Sequence, residues 1–211
     1  MKIGLLGGTF DPVHSGHIAL ALNALKQKKL DQVWFLVSPD PPHKKASEKS
    51  PFSVRYEMTR LALEDYDLLI ASDYETKLAQ PSYSARTLEA LYSDYPNEDF
   101  YFIIGEDSLD QIELWYEPEK VLSLAKLLVA VRHEDDGFLG SDKSIDEQIA
   151  YLCGKYKRTD GTEAFIEKIN CDYVDVSSTE IRQKVKKGES IKGLVPDAVA
   201  EYIWKEKLYI K

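Results

Sequence analysis

The chain has 211 residues, of which 44% are hydrophobic and 30% charged, and its 27 Lys and Arg against 36 Asp and Glu give a formal net charge of −9. This length and composition suit one α/β domain with a good-sized core, 1–211, and the acidic balance excludes the broad cationic coverage by which proteins hold nucleic acid irrespective of sequence. The longest apolar runs, such as Val33 to Val37 and Leu127 to Val131, fall far short of the roughly 18 residues of a membrane span, and no secretory pattern opens the chain, so a cytoplasmic protein without membrane association is expected.

In chain order, Ile3 to Leu6 reads as a buried strand. A glycine-rich turn follows, then a periodic stretch in which Ile18, Leu20, Ala21, Leu22 and Leu25 suit a helix packed on a sheet. "QVWFLVSP" is the next strand, ended by Pro39, Pro41 and Pro42. "SVRYEMTRLALED" has helical spacing through Val54, Met58, Leu61 and Ala62, and "LLIASDYE" reads as a strand. "SYSARTLEALYSDYP" is helix-like, "DFYFIIGEDS" is a strand running into a Gly-acidic turn, and a helical stretch near Val121 to Lys126 leads into the strand "KLLVAVR". Between His133 and Lys168 the pattern weakens into a charged excursion with room for one or two helices. "CDYVDV" is expected as the last strand, "SSTEIRQKVKKGE" as a capped helix and "VPDAVAEYIWKEKLY" as a closing helix. Strands alternating with helices predict a Rossmann-like, doubly wound parallel sheet with helices on both faces. Cys153 and Cys171 lack CxxC spacing and are expected to be structural.

The chemistry concentrates in "GGTFDPVHSGH", Gly7 to His17, directly after the first strand. In open parallel sheets ligands gather at the carboxyl ends of the strands, where helix N-termini present unpaired N–H groups. Gly7 and Gly8 are expected to clear a path for a ligand, and Asp11 and Pro12 to tighten entry into a helix that begins near Ser15 or Gly16. His14 and His17, three residues apart, then share one face of the first helical turn, where both can donate to phosphate oxygens. Neither GxxxxGK[ST] nor GxGxxG can be read here. Two alternatives stay open: a plain Gly-Pro turn with surface histidines, and a metal-binding His pair, although no third ligand stands at suitable spacing.

With an acidic chain, an anionic ligand must meet a local cationic patch; the candidates are His43, Lys44 and Lys45, then Arg132, then Arg182, Lys184, Lys186 and Lys187. "SSTE" reads as a capping box in which Ser177 caps the helix and Glu180 returns to the cap N–H, with Arg182 one turn in. A plain cap with a surface arginine is the alternative. From the residues alone Asp107 suits a second helix cap, and Trp115 either a stacking face or a core position.

The HxGH element of His14, Ser15, Gly16 and His17 resembles that of the nucleotidylyltransferase superfamily. "PPHK" (Pro41 to Lys44), "PSYSARTL" (Pro81 to Leu88), "FIIGEDSL" followed by Trp115, "VAVR" (Val129 to Arg132), "VSSTEIR" (Val176 to Arg182) and "LVPDAVAEYI" (Leu194 to Ile203) follow in order. Together they resemble the bacterial nicotinate-nucleotide adenylyltransferases over nearly the whole chain, the stretch after Arg132 excepted. The resemblance implies transfer of AMP from ATP to nicotinate mononucleotide, giving deamido-NAD and pyrophosphate. It implies ATP contacts from Gly8, Thr9, Phe10, His14, His17, Gly105, Asp107, Ser178, Thr179 and Arg182. It further implies nicotinate mononucleotide contacts from Lys44, Ser84, Trp115, Tyr116 and Arg132, with His14, His17, Lys44 and Arg182 as the catalytic group. Mg2+ is implied with the leaving pyrophosphate, held by phosphates and water and not by a protein metal site.

This sequence departs from the family pattern in reading His133 and Glu134 where Pro-Gly often follows, and Ser84 where Thr is common. Nicotinamide mononucleotide is a rival acceptor. Phosphopantetheine is another, although its enzymes usually carry Thr-x-Gly-His. A non-catalytic nucleotide-binding protein is expected to have lost His14, His17 or Arg182, and a metal-binding protein is the remaining alternative. Small-molecule substrates are the expected partners, with oligomeric state open.

Overall fold

Near-continuous apolar runs of Val, Ile, Leu and Phe are what a strand covered on both faces requires, and such runs supply the central strands of one six-stranded sheet. The computed structural model describes residues 1–41, 49–131, 144–171 and 176–210. Its strands are β1 (Lys2–Gly8), β2 (Gln32–Val37), β3 (Leu69–Ser72), β4 (Asp99–Gly105), β5 (Lys126–Val131) and β6 (Ile166–Asn170), all parallel and ordered β3-β2-β1-β4-β5-β6. The helices are α1 (Ser15–Lys28), α2 (Phe52–Ala62), α3 (Ser84–Asp94), α4 (Glu106–Asp110), α5 (Pro118–Leu124), α6 (Ile145–Lys155), α7 (Ser178–Lys186) and α8 (Asp197–Lys205).

Successive strand residues point to opposite faces, and the two faces carry separate cores. Leu6, Val33, Phe35 and Ile103 pack with α1, α2, α7 and α8, while Leu5, Leu36, Phe102 and Ile104 pack with α3, α4, α5 and α6. This is the expected Rossmann-like, doubly wound architecture. Strand order reverses between β1 and β4, which pair from Lys2↔Asp99 to Leu6↔Ile103. Their carboxyl ends therefore flank the crevice where such sheets take ligands. Among the described residues no helix is long and apolar enough to cross a membrane.

A strand that was not expected, Ile166–Asn170, pairs with β5 from Leu127↔Ile166 to Val131↔Asn170. β6 lies at the sheet edge and buries Ile166 and Ile169 while Glu167 and Lys168 stay in contact with water. Its polar residues hid it. Of the expected strand "CDYVDV", Cys171 and Val176 join the core beside α1 and α7, and 172–175 lie outside the described residues.

The charged stretch 133–168 contains α6. This helix is opened by a reciprocal cap in which Glu147 N–H donates to Ser144 Oγ (3.2 Å) and Ser144 N–H to Glu147 Oε2 (2.9 Å). Leu152 is buried in the second core, and Gln148 Nε2 donates to Leu109 O at 3.0 Å.

Candidate active site

The turn after β1 is shaped by one aromatic ring. Phe10 takes a left-handed φ of 50°, which a bulky residue adopts only where its surroundings enforce it. Its ring is buried against Phe35 and stands edge-on to His17, with centroids 5.4 and 5.0 Å away. A Cβ on Gly8 would come within 2.8 Å of that ring, so Gly8 is dictated by Phe10; a Cβ on Gly7 would meet Phe102 at an ordinary 3.7 Å. Gly8 therefore answers to Phe10 as well as lining the cavity beside the turn. Because the Phe10 ring is buried, any nucleotide contact by this residue falls to its backbone.

The rest of the turn is held by hydrogen bonds from distant parts of the chain. Arg182 Nη1 donates to Asp11 O, and Ser178 Oγ to Pro12 O, both at 2.8 Å. Arg182 Nη2 also reaches Thr179 Oγ1 at 3.2 Å. The buried Asp11 carboxylate accepts from Tyr209 OH (2.6 Å) and Ser50 N–H (2.9 Å). The N-termini of α1 and α7 consequently meet at one turn, and two helix N-termini add positive potential where an anion would sit.

His14 occupies the N-cap of α1, and its ring stacks on that of His17 with centroids 3.6 Å apart. His14 N–H donates to His17 Nδ1 at 3.2 Å. A neutral imidazole that accepts at Nδ1 carries its proton on Nε2, so the turn selects the His17 tautomer that donates there. Burial pushes the His14 imidazolium down to about 4, leaving a neutral ring at neutral pH.

Beside this turn lies a cavity of about 640 Å³, bounded by Gly7, Gly8 and Thr9 at the end of β1, Gly105 and Ser108 at the end of β4, and Ser84, Trp115 and Tyr116. Trp115 stands edge-on to Phe102, with centroids 6.2 Å apart. Tyr116 stacks on Tyr83 at 4.4 Å, and the Arg86 guanidinium lies 5.0 and 5.1 Å from the two ring centres. Ser84 opens α3, so this helix directs its N-terminus toward the cavity. The cavity thus combines an aromatic wall with a helix end suited to a carboxylate.

A sequence profile described as cytidylyltransferase-like matches residues 5–184. A Clostridium tetani protein named "Probable nicotinate-nucleotide adenylyltransferase" is 39% identical over 210 residues, covering 99% of this chain and 98% of the relative. One of the same name from Syntrophotalea carbinolica is 36% identical over 212 residues, covering 99% and 97%. The chain belongs to the nicotinate-nucleotide adenylyltransferase family. The nicotinic acid mononucleotide adenylyltransferase of Plasmodium falciparum, solved in complex with NaAD, shares the fold with a TM-score of 0.77 at 20% identity, over 99% of this chain and 97% of that one.

Against that family's pattern, the described residues bring together His14, His17, Ser178, Thr179 and Arg182 at the turn, and Gly8, Thr9, Gly105, Ser84, Trp115 and Tyr116 around the cavity. Asp107 stands exposed in the first turn of α4, one residue from the cavity-lining Ser108. Lys44 and Arg132 lie outside the described residues. Of the "IRQKVKK" cations, Arg182 faces the turn, whereas Lys184 lies 3.9 Å from Glu180 and 3.7 Å from Glu189. The expected capping box at "SSTE" forms only its forward half, with Glu180 N–H donating to Ser177 Oγ at 3.1 Å. The Glu180 carboxylate is turned along the helix toward Lys184.

Sequence reasoning missed Glu75. It lies on a 3-10 turn, Tyr74–Lys77, that directs it to the cavity, where it is buried and accepts from Thr87 Oγ1 at 2.8 Å. Burial pushes its carboxyl up from the ordinary range. Nothing in "DYETK" distinguishes it from a surface acid. Among the described residues no group of three or more His, Cys, Asp or Glu side chains could hold a metal ion, and Asp11, the carboxylate of the turn, has both oxygens engaged.

Proposed function

We propose that this chain transfers the adenylyl group of ATP to the 5′-phosphate of nicotinate mononucleotide. A phosphate oxygen of the acceptor attacks the α-phosphorus, the bond from that phosphorus to the bridging oxygen of the β-phosphate breaks, and deamido-NAD and pyrophosphate result. The observation that carries this reading is the juxtaposition, at the carboxyl ends of β1 and β4, of a paired-histidine turn with an aromatic-walled cavity.

The acceptor phosphate is itself the nucleophile, so the chain's task is positioning and charge stabilisation. His14 and His17 donate to the ATP phosphates, His17 through Nε2, while Thr179, Arg182 and the N-terminus of α7 bind the leaving pyrophosphate. Ser178 fixes α7 on the turn through Pro12 O. Trp115 stacks on the pyridine ring, and N–H groups around Ser84 and Tyr116 take its carboxylate; a helix N-terminus favours that anion over a neutral carboxamide. Lys44 and Arg132 serve the acceptor phosphate, and Asp107 the adenosine ribose. Mg2+ bound with ATP would supply charge neutralisation to the phosphates. The protein acts as a single domain in the cytoplasm.

Pyrophosphate release from ATP and magnesium, with nicotinate or nicotinamide mononucleotide in parallel, tests the reading. Release is expected with the nicotinate substrate. His17→Ala is expected to slow it by about 100-fold, since one preorganised donor is worth roughly 3 kcal/mol of barrier. Equal rates with both acceptors would reject the carboxylate assignment, and an undiminished His17→Ala rate would reject the role of the turn.

A further inference from the structure

Arg55 is wholly buried, with the Asp11 carboxylate near enough to favour its charge but making no direct hydrogen bond to it. From α2 its guanidinium donates to three backbone carbonyls: Thr9 O at 2.7 Å, Ser50 O at 3.0 Å and Pro39 O at 3.3 Å. These carbonyls belong to the turn after β1, the exit of β2 and the entry to α2. On the turn's other contact, Tyr209 OH donates to Asp11 Oδ1, while Asp11 Oδ2 accepts from Ser50 N–H. Ser50 is thereby tied both to Arg55 and, through Asp11, to the turn.

Burying a guanidinium is costly, and an apolar side chain would fill the same space without that cost. What an apolar residue cannot do is fix three separate carbonyls in one plane. Thr9 is the pivotal one, because it belongs to the turn bearing the histidines and also lines the acceptor cavity. A displacement of this carbonyl would shift the two substrates relative to each other without removing a contact to either.

We propose that Arg55, assisted by Tyr209, is a positioning residue that locks the histidine turn against the exit of β2 so that acceptor phosphate and α-phosphorus meet in line. This inference rests on the adenylyl-transfer reading above. Neither side chain touches a reacting atom; both act through the backbone of Thr9 and the carboxylate of Asp11. In-line transfer is sensitive to shifts of about 1 Å, whereas binding is far less so. Arg55→Lys retains the charge but cannot reproduce the planar fork that reaches three acceptors.

The test measures kcat and both KM values for wild type, Arg55→Lys and Tyr209→Phe, with circular dichroism and thermal melting giving the folded fraction. The expected result for Arg55→Lys is a fall in kcat per folded molecule of at least tenfold, with each KM within about threefold of wild type. Tyr209→Phe is expected to show the same split at smaller size. A lowered Tm with unchanged kcat per folded molecule would overturn the proposal and leave a structural role, and so would raised KM values at unchanged kcat. Should Arg55→Lys fail to fold, Tyr209→Phe decides: wild-type kcat in that variant overturns the proposal. Absence of pyrophosphate from the wild type would overturn both this inference and the reading beneath it, whereas an active wild type with unaltered variants would overturn this inference alone.

Discussion

At the scale of single residues, the site is built from groups whose surroundings set their protonation. Burial holds the folded-state pKa of His14 down to about 4, against an ordinary 6.5. Between those values the unfolded chain binds a proton that the folded chain refuses, so stability falls as pH drops from about 6.5 toward 4 and levels off below. One such proton corresponds to a slope of at most about 1.4 kcal/mol per pH unit. Urea unfolding from pH 7.5 to 4.5 is expected to show this slope in the wild type and a flatter one in His14→Gln. The same slope in both would reject the burial argument. Glu75 works in the opposite direction: its folded pKa is raised, so its contribution is full below the ordinary carboxyl range and is lost as pH rises through the folded value. His14 was legible because two histidines in one turn are conspicuous, while Glu75 was not, because its burial comes from Thr87, eleven residues beyond its immediate neighbour in the chain, and from the cavity wall.

At the scale of elements, α7 shows how a cap contributes to a site. Ser177 Oγ accepts from Glu180 N–H, and the helix so started places Ser178 on Pro12 and Arg182 on Asp11. Ser177→Ala is expected to cost about 1 kcal/mol of stability, and to raise the KM for ATP by more than that for nicotinate mononucleotide, because the fraying end is the one proposed to face the triphosphate. Melting curves with separate substrate titrations check this; equal changes in both KM values would confine Ser177 to stability. The start of α7 was readable from "SST" alone. Its docking on residues more than 160 positions earlier was not, because no local pattern encodes which turn a helix end will meet.

At the scale of the molecule, the sheet separates chemistry from support. One core carries α1, α2 and α7 beneath the histidine turn, and the other carries α3 and α4 beneath the cavity. α6 belongs to the second core, although the charge-rich sequence around it reads as an excursion from the fold. Leu152→Ala should therefore destabilise the protein by about 2–5 kcal/mol while leaving kcat per folded molecule unchanged, as measured by denaturant unfolding and steady-state assay. A fall in kcat beyond the folded fraction would show that α6 reaches the chemistry. The net charge of −9 is likewise a property of the whole, and the proposed anion site would offset it locally with two helix ends and Arg182.

The sequence by itself determined the alternation of strands and helices, the Rossmann-like sheet, the turn of Gly7 to His17 and the start of α7, because each rests on interactions within a few residues. The edge strand β6 escaped it, since a strand half in water loses the apolar run that marks a buried one. Tertiary structure alone decided that Gly8 answers to the Phe10 ring, that Arg55 and Tyr209 hold the turn, and that Glu75 enters the cavity. Each of those depends on a ring, carbonyl or carboxylate delivered by another element or a bent backbone. Such contacts arise only when the sheet order places the ends of β1 and β4 side by side.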